Sequence, residues 1–377
     1  MDFTFTEEQQ AAVEAAKAVF SGAAPDGVPS PALTTGAVAD DFDRALWRKL
    51  ADADLLSLPV PPEHGGAGLD PIALCLVLRE SAKVLARVPL LESGAAALAI
   101  QRHANAELRS EVLPRLATGD LVVTVATAGR TGHDSAELSV EARKEGAAWI
   151  LDGNQTAVPW APTADQILLP AHTPDGHTVL ALVSRADDGV SLDDQISTSG
   201  ERYAEVRLNS VHIEAREMIT DPGAWESLRN ILTVGTCASA LGLGERVLSM
   251  TSDYTSKREQ FGFPVATFQA VAVQAADRFI DLRAMEATLW QAAWRITTDA
   301  TGPLPAAGDV AVAKIWASEG VRRVVQTAQH LHGGFGADTD YPLHRFHAWA
   351  KQLELSLGPA AAHEEALGDL LAAHPLS

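Results

Sequence analysis

Two stretches of the sequence combine residue types that could bind a phosphate group. The first, YTSKREQFGFPVATFQ, contains Arg258, Phe261 and Gln269. Its spacing predicts a helix that ends at Arg258, a break at Phe261 and Gly262, and a second helix that begins near Gln269. An arginine at such a turn can hold a phosphate through two parallel hydrogen bonds, and the N–H groups of the following helix N-terminus favour the same anion. The alternative interpretation is a plain helical hairpin with a surface arginine.

The second stretch, QHLHGGFGADTDYP, contains His330, Gly333, Gly334 and Gly336. It predicts a helix that ends at the two adjacent glycines. Because glycine carries no side chain, a ligand can approach the backbone closely at this point. The alternative interpretation is an ordinary glycine cap at the C-terminus of a helix.

Four histidines lie near this second stretch: His330, His332, His344 and His347. A metal site would require them to converge with a carboxylate. Two of them precede a glycine turn and two lie at helical spacing, which favours solvated or hydrogen-bonded side chains. The sequence therefore predicts no metal site.

The composition and the motif search exclude several classes of protein. The formal net charge of −20 argues against nucleic acid and anionic membranes as partners, since their phosphates require a basic surface. The sequence contains no Rossmann fingerprint, P-loop, zinc-protease or serine-hydrolase motif. The N-terminus does not resemble a signal peptide, and no apolar run suggests a membrane span. Cys75 and Cys237 lie in apolar runs and fit a reducing compartment. We expect a soluble, cytoplasmic protein.

Three regions differ in their patterns. Residues 1–118 place apolar side chains at three- and four-residue spacing, which is typical of helices, in four runs that begin at Thr6, Phe42, Pro71 and Ala106. Residues 119–222 contain short β-branched runs separated by turns and predict an antiparallel sheet. Residues 223–377 return to long helical patterns that predict a packed bundle, with a final helix that begins near Tyr341. The predicted fold class is α+β, mostly α, with helical domains on both sides of a β domain.

The pair R-x-x-F-G…F-Q and H-G-G-x-G…Y-P, in this order after a helix–sheet layout, resembles the acyl-CoA dehydrogenase family. LPVPPEHGGAGLD and YAEVRLNSVHI resemble further segments of that family. The resemblance implies FAD as cofactor, an acyl-CoA substrate, and a C-terminal four-helix bundle that assembles into tetramers. It also implies α,β-dehydrogenation, in which a glutamate removes the α-proton and the flavin accepts the β-hydride. By the same resemblance, one set of residues contacts the flavin of a neighbouring subunit: Arg258, Phe261, Gln269, His330, Gly333, Gly334 and Gly336. His330 stands where a glutamine is common in the family.

The chain departs from the family where the catalytic base is expected. By ungapped counting from the two motifs, the two positions that carry the glutamate in different members correspond to Leu357 and Leu232. A hydrocarbon side chain cannot accept a proton, so the sequence predicts no catalytic residue at either position. Other glutamates lie nearby in sequence and are expected to be exposed helix carboxylates: Glu226, Glu354, Glu364 and Glu365.

The loop that cradles the flavin within the same subunit is also altered. The family form T-E-P-x-x-G-S-D corresponds to residues 127–134, which keep Thr127 but lose the acidic residue and the serine. Arg130 and His133 could still meet a phosphate. The following W-I-T element corresponds to residues 157–159, and the adjacent Trp160 could partly replace its tryptophan.

These departures resemble the non-catalytic partner in heterotetrameric acyl-CoA dehydrogenases of bacterial steroid side-chain degradation. The resemblance implies an α2β2 assembly with a homologous glutamate-bearing subunit, and an electron-transfer flavoprotein as electron acceptor. Two alternatives remain open. One is a homomeric flavoenzyme with a relocated base, and the other is a non-enzymatic acyl-CoA-binding or scaffold protein on the same fold.

Overall fold

The computed structural model describes residues 4–23, 25–128 and 140–375, with helices at both ends and strands between them. The N-terminal helices are α1 (Glu7–Ser21), α2 (Arg44–Asp52), α3 (Pro71–Ala82), α4 (Leu90–His103) and α5 (Ala106–Ala117). The strands that follow are β1 (Val123–Val125), β2 (Val140–Glu145), β3 (Ala148–Pro159), β4 (Gln166–His172), β5 (Thr178–Ser184), β6 (Val190–Ile196), β7 (Arg202–Glu214) and β8 (Met218–Ile219). The C-terminal elements are α6 (Ala224–Lys257), β9 (Glu259–Gln260), β10 (Phe263–Pro264), α7 (Gln269–Thr298), α8 (Ala306–His332), α9 (Leu343–Leu355) and α10 (Ala360–Ala373). The predicted α+β fold class is confirmed.

Four of the five N-terminal helices, all except α4, begin at side chains that satisfy free backbone N–H groups. Thr6 and Gln9 form a capping box at α1, and Asp70 and Asn105 cap α3 and α5. The sequence patterns did not predict α4, whose residues are mostly buried. A helix that is surrounded by protein needs no polar face, so its sequence lacks the usual apolar periodicity.

The middle region forms one sheet with the strand order β6-β7-β3-β2-β4-β5-β8, and β1 pairs with β4. Most neighbouring strands are antiparallel, as predicted. However, β1 and β2 each run parallel to β4. Alternating side chains reveal a strand but do not fix the direction of a partner that is distant in sequence. The hydroxyl of Ser93 in α4 donates a hydrogen bond to the carbonyl oxygen of Val123 at 2.9 Å, which ties the sheet to the helical layer.

Helix α6 packs closely against the N-terminal helices because it carries glycines at the contact points. A Cβ atom at Gly235 would lie 2.3 Å from Leu91 in α4, and one at Gly242 would lie 1.9 Å from the carbonyl oxygen of Arg79 in α3. Within the described residues, α6 is the one helix long and apolar enough to span a membrane, yet 78% of that apolar window is buried inside the protein. Its place in the core accounts for its composition.

Two helices follow Tyr341, where the sequence predicted one. Between α9 and α10 the backbone turns through Leu357 and Gly358, which adopt φ angles of 59° and 97°. A left-handed conformation at two successive residues cannot continue a helix. Residues 355–357, just before and within this turn, line a cavity together with residues of α6.

Candidate functional site

Arg258 lies at an exposed hairpin between α6 and α7. It follows the last residue of α6 in an extended conformation, and its carbonyl oxygen accepts a hydrogen bond from Val265 N–H at 2.7 Å. Within the described residues, its guanidinium forms no hydrogen bond or ion pair. Phe261 sits at the tip with a positive φ of 55° and is 90% exposed. Gln269 is the exposed first residue of α7.

Stacked aromatic rings join the two stretches that the sequence singled out. Tyr254, one helical turn before Arg258, stacks on His332 with ring centroids 4.3 Å apart and on Phe335 at 5.5 Å. Tyr341 packs against Phe335 at 4.5 Å, and its hydroxyl lies 3.2 Å from His332 Nε2. The hairpin and the glycine turn therefore form one continuous surface, although about 75 residues separate them in sequence.

The glycines of the second stretch have different surroundings. Gly333 has a φ of 60°, and a Cβ atom there or at Gly334 would meet no atom within 4 Å. The backbone of both residues therefore faces open space, as a ligand contact requires. Gly336 is buried, and a Cβ atom there would lie 2.8 Å from the side-chain nitrogen of Gln329. Packing inside the turn accounts for this third glycine. His330 is exposed beside them.

Two other histidines of this region, His332 and His344, form hydrogen bonds to backbone carbonyl groups. His332 Nδ1 lies 2.8 Å from the carbonyl oxygen of Ala328, and burial lowers the pKa of His332. His344 Nδ1 lies 2.8 Å from the carbonyl oxygen of Tyr341. In the part of the chain that the structure describes, no three histidine, cysteine or acidic side chains are arranged to hold a metal ion.

The two positions predicted for the catalytic base lie in one cavity, which the residues of the α6–α7 hairpin do not line. Leu232 of α6 and Leu357 of the α9–α10 turn both line a cavity of about 310 Å³, together with Thr127, which follows β1. The structure thus divides the predicted site residues into an exposed group around Arg258 and an internal group around Leu232. The remaining residues of the altered loop, 129–134, including Arg130 and His133, lie outside the described residues.

Buried polar side chains hold the turn that carries Leu357. The ammonium group of Lys314 donates to the carbonyl oxygens of Leu353 and Glu354, both at 3.0 Å. Burial lowers the pKa of Lys314 to about 8. His363 Nε2 donates to the carbonyl oxygen of Leu357 at 2.9 Å, and burial lowers the pKa of His363 to about 4, so the ring is neutral at pH 7. These contacts fix the position of Leu357 against the cavity.

Sequence reasoning missed two carboxyl groups in this cavity. Glu92 from α4 and Glu201, next to β7, both line it. Burial and then the charge of Glu201 raise the pKa of Glu92 to about 8. Burial likewise raises the pKa of Glu201 to about 7, against the opposing effect of Arg87. No local pattern indicated either residue, because α4 was not predicted and the two residues are more than 100 positions apart in sequence.

The glutamates that the sequence considered lie elsewhere. Glu226 is exposed and borders a different surface pocket near Arg102. Glu354 is not exposed as expected, because its side chain is only 13% accessible and pairs with Lys351 at 2.6 Å. Glu364 and Glu365 are exposed on α10. None of the four lines the cavity that contains Leu232 and Leu357.

Trp160 forms part of the inner wall of the cavity. It is buried, with a positive φ of 57°, and packs edge-on against Phe42 at 6.4 Å. Its indole N–H donates to Glu92. The side chain therefore belongs to the core between the helical and β domains and holds a cavity carboxyl.

Comparisons with known proteins give this arrangement its context. Residues 6–120 match the family model for the acyl-CoA dehydrogenase N-terminal domain, and residues 230–371 match the model for its C-terminal domain. The chain belongs to the acyl-CoA dehydrogenase family. The family prediction, an FAD-dependent oxidoreductase, is thereby confirmed.

The individual relatives agree over nearly the whole chain. Acyl-CoA dehydrogenase FadE27 of Mycobacterium tuberculosis is 39% identical over 341 residues, which cover 89% of this chain and 90% of that protein. A chain of the ChsE4-ChsE5 complex from Mycobacterium tuberculosis is 36% identical, with a TM-score of 0.90 and full coverage of both chains. A chain of the steroid ACAD Tcur3481-Tcur3483 is 36% identical, with a TM-score of 0.87, and covers 97% of this chain and 98% of that one.

The exposed group of residues fits part of an acyl-CoA dehydrogenase FAD site. Arg258, which has no side-chain partner among the described residues, lies ahead of a 30-residue helix whose N-terminus is exposed, and both features favour a diphosphate. Gly333 and Gly334 leave their backbone open to a flat or extended ligand. The internal cavity is less suited to the flavin ring. Its volume of about 310 Å³ is at the lower limit for a drug-sized ligand, and the bulky Trp160 occupies its wall.

Proposed function

We propose that this chain is the subunit of a heteromeric acyl-CoA dehydrogenase that completes the FAD site of a glutamate-bearing partner. The observation that carries the proposal is the division of the site. The residues proposed to bind phosphate are exposed around the α6–α7 hairpin, while both base positions, Leu232 and Leu357, are hydrocarbon side chains that line one separate, partly open cavity. The flavin accepts the hydride in this family. The base that removes the α-proton must then come from the other polypeptide.

Arg258 and the N-terminus of α7 would hold the FAD diphosphate. The guanidinium carries a permanent positive charge and can donate two parallel hydrogen bonds to phosphate oxygens. The first N–H groups of α7 point along the helix axis and add a favourable dipole. Since Arg258 has no partner within the described part of its own chain, binding would require no competing ion pair to break.

The surface around the hairpin has the apolar character of a subunit interface. Several large apolar side chains are exposed there and on the first half of α7: Phe261, Phe263, Phe268, Val273, Phe279 and Ile280. Contiguous exposed apolar side chains are rare on monomers and mark interaction surfaces. A homologous subunit that covers them would bring its own FAD site against Arg258 and the glycine turn. We propose an α2β2 tetramer with two such sites.

The proposed substrate is an acyl-CoA thioester, and the relatives favour a steroid-type acyl group. Support comes from the description of Tcur3481-Tcur3483 as a steroid ACAD and from the two-component ChsE4-ChsE5 complex. An electron-transfer flavoprotein is the proposed electron acceptor. A comparison of turnover between a steroid side-chain CoA thioester and butyryl-CoA tests the substrate class in the assembled complex. Preference for butyryl-CoA would contradict it.

Flavin content tests the subunit proposal directly. The chain purified alone should contain little FAD, and co-expression with a glutamate-bearing homologue should give a yellow complex with about half the FAD of a homotetramer. In that complex, Arg258→Ala should weaken FAD binding about 30- to 150-fold, the equivalent of roughly 2–3 kcal/mol for a lost charge-assisted hydrogen bond. Arg48→Ala, an exposed arginine on α2, is the matched control. Unchanged FAD binding in Arg258→Ala would refute the site.

A homomeric enzyme with a relocated base is the second candidate, because Glu92 and Glu201 line the same cavity as the two leucines. Their protonation disfavours it. With a pKa of about 8, Glu92 holds its proton at pH 7, and Glu201 already accepts a hydrogen bond from Tyr203. A chain that binds one FAD per subunit alone, and loses turnover in Glu92→Gln or Glu201→Gln, would establish this candidate and refute the first.

A further inference from the structure

A pocket of about 640 Å³ lies at a junction of the helical and β regions that the proposed function does not use. Three segments form it: the C-terminal end of α4, the β2–β3 hairpin, and the link between β8 and α6. It shares no lining residue with the cavity of Leu232 and Leu357, and no residue of the α6–α7 hairpin lines it. Its volume lies within the range of small-molecule sites.

A fixed pair of side chains forms the helical wall of this pocket. His103 is the last residue of α4, and its side chain is 8% exposed. Its Nδ1 lies 2.9 Å from one carboxylate oxygen of Asp221, and the other oxygen accepts a hydrogen bond from the Gly223 N–H at 2.9 Å. These hydrogen bonds, that of His103 first, hold the pKa of Asp221 below its ordinary value. The carboxylate is therefore ionised and has its partners within the protein.

The contact with Asp221 leaves the second ring nitrogen of His103 without a partner. Because Nδ1 is bonded to the carboxylate, the imidazole ring is held in one orientation. Nε2 is buried and forms no hydrogen bond among the described residues. A buried polar atom that makes no hydrogen bond is costly, and a ligand in the pocket that His103 lines can supply the partner.

The hairpin wall carries a cation that has no counterion. Lys144 of β2 and Trp149 of β3 are paired across the hairpin, and the ammonium group lies 5.0 Å from the centroid of the indole ring. This cation–π contact holds the ammonium group beside the pocket. Within the described residues, Lys144 forms no hydrogen bond or ion pair, so its charge is available to a ligand.

The balance of charge in the lining favours an anion over a cation. Asp221 is the one acidic side chain among the lining residues that the structure describes, and its two oxygens already accept hydrogen bonds. In contrast, the Lys144 ammonium group, the Thr220 hydroxyl and the Trp149 indole N–H are donors without a partner in the described part of the chain. The formal net charge of −20 repels anions from most of the surface, so an anion requires such a local cation.

We propose that this pocket binds a small organic carboxylate, with Lys144 as its charge partner and His103 Nε2 as a hydrogen-bond partner. An apolar part of the lining takes the organic body, and it is formed by Ala104, Ala147, Ala148, Met218 and the ring of Trp149. An inorganic anion would leave this part of a pocket of about 640 Å³ unfilled. The site requires neither FAD nor the partner subunit.

Fluorine NMR titration of the full chain, in the oligomer in which it is isolated, tests the proposal. The probe is 6-fluoro-2-naphthoate, and 6-fluoro-2-naphthamide is the neutral compound of the same shape. The carboxylate should bind about fivefold more tightly than the amide, which is the upper end for an ion pair with an exposed lysine. Inorganic phosphate at the same concentration should not displace the carboxylate. Displacement would show that the site takes a simple ion and would overturn the organic ligand.

Substitutions in the two walls test the two partners. Lys144→Met keeps the stem of the side chain and removes the charge, so the carboxylate and the amide should bind equally. Arg143→Met removes the same charge from the neighbouring residue of β2, which does not line the pocket, and should keep the preference for the carboxylate. His103→Phe keeps the volume of the ring and removes both nitrogens, so it should weaken binding of the carboxylate about fivefold, as expected for one lost hydrogen bond.

Two bulky substitutions locate the bound probe. Ala215→Trp places a large ring at an exposed lining position and should abolish binding, whereas Leu232→Trp, in the other cavity, should leave binding unchanged. Size-exclusion chromatography and circular dichroism check that each variant folds and assembles like the wild type.

Four results would each overturn the proposal: no binding of the carboxylate up to its solubility limit, equal binding of carboxylate and amide to the wild type, a preference that survives Lys144→Met, or binding that survives Ala215→Trp. Loss of binding in Leu232→Trp would place the probe in the other cavity and would overturn it as well. None of these measurements depends on FAD, so failure here and failure of the subunit proposal are distinguishable.

Discussion

Replacement of Glu92 by glutamine should stabilise the protein at alkaline pH and change little at acidic pH. The pKa of Glu92 is about 8, against an ordinary value of 4.5. Each pKa unit corresponds to about 1.36 kcal/mol, so the full difference represents roughly 5 kcal/mol. The glutamine keeps the size and the acceptor oxygen of the side chain but cannot ionise.

The direction of the effect follows from the protons bound by each state. Below pH 4.5 the carboxyl group is neutral in both the folded and the unfolded chain, so it contributes no penalty. Between pH 4.5 and about 8 the unfolded chain releases the proton while the folded chain retains it, and the free energy of unfolding falls as the pH rises. Wild type should therefore lose stability relative to Glu92→Gln across this window.

Urea denaturation followed by tryptophan fluorescence, at matched protein concentration, measures this difference. At pH 5 the free energies of unfolding of the two proteins should agree within about 1 kcal/mol. At pH 9 Glu92→Gln should be more stable by about 2–5 kcal/mol. The range extends below about 5 kcal/mol because the Glu201 charge contributes part of the pKa shift, so the two sites are not independent. Glu63→Gln, at an exposed glutamate, is the control and should follow wild type. Parallel pH profiles for wild type and Glu92→Gln would refute the reasoning that Glu92 is a half-buried acid with a raised pKa.

Three further substitutions test the interactions that hold the cavity in place. Asp26→Asn leaves the buried Arg87 without its counterion and should lower the free energy of unfolding by about 3–5 kcal/mol, measured by the same denaturation; a loss below 1 kcal/mol would contradict a buried pair. Gly242→Ala places a Cβ atom 1.9 Å from the carbonyl oxygen of Arg79 and should cost about 1–3 kcal/mol through separation of α3 and α6, whereas Gly368→Ala, where a Cβ meets no atom within 4 Å, should not destabilise. In wild type, folded Lys314 releases its proton near pH 8 and the unfolded lysine near pH 10.4, so the free energy of unfolding rises between these values. Lys314→Met lacks this gain and should lose stability relative to wild type as the pH rises from about 8 to 10.5. A constant difference across this range would show that the ammonium is not buried.

The local sequence patterns predicted the helices and strands that have one apolar face and one polar face. Amphipathic helices such as α1 and α2 and the short strands of the middle region were visible because one side of each meets water. Helix α4 was invisible for the opposite reason, since protein surrounds it on nearly all sides. The direction of β1 against β4 was likewise beyond local pattern, because it depends on chain segments that meet only in the folded sheet.

The candidate site also has features that the sequence predicted and features that required the tertiary structure. The turn at Arg258 and the glycines after His332 are local features, so their residue types and spacing indicated a phosphate-binding surface directly. The stacking of Tyr254 on His332 and Phe335, which makes them one surface, required the packing of α6 against α8. The sequence also predicted that positions 232 and 357 carry no carboxylate, because these positions follow from ungapped counting from the two motifs.

By itself, then, the sequence determined the order of most helices and strands, the two turns that we propose bind phosphate, and the leucines at the two positions aligned with the family base. Tertiary structure alone decided that Leu232 and Leu357 border one cavity and that Glu92 and Glu201 also line it. The physical reason is that a side chain's protonation depends on what surrounds it in space. Glu92 becomes a neutral acid because α4, β7 and Trp160 remove it from water and place Glu201 beside it, and these elements come together only when the chain folds.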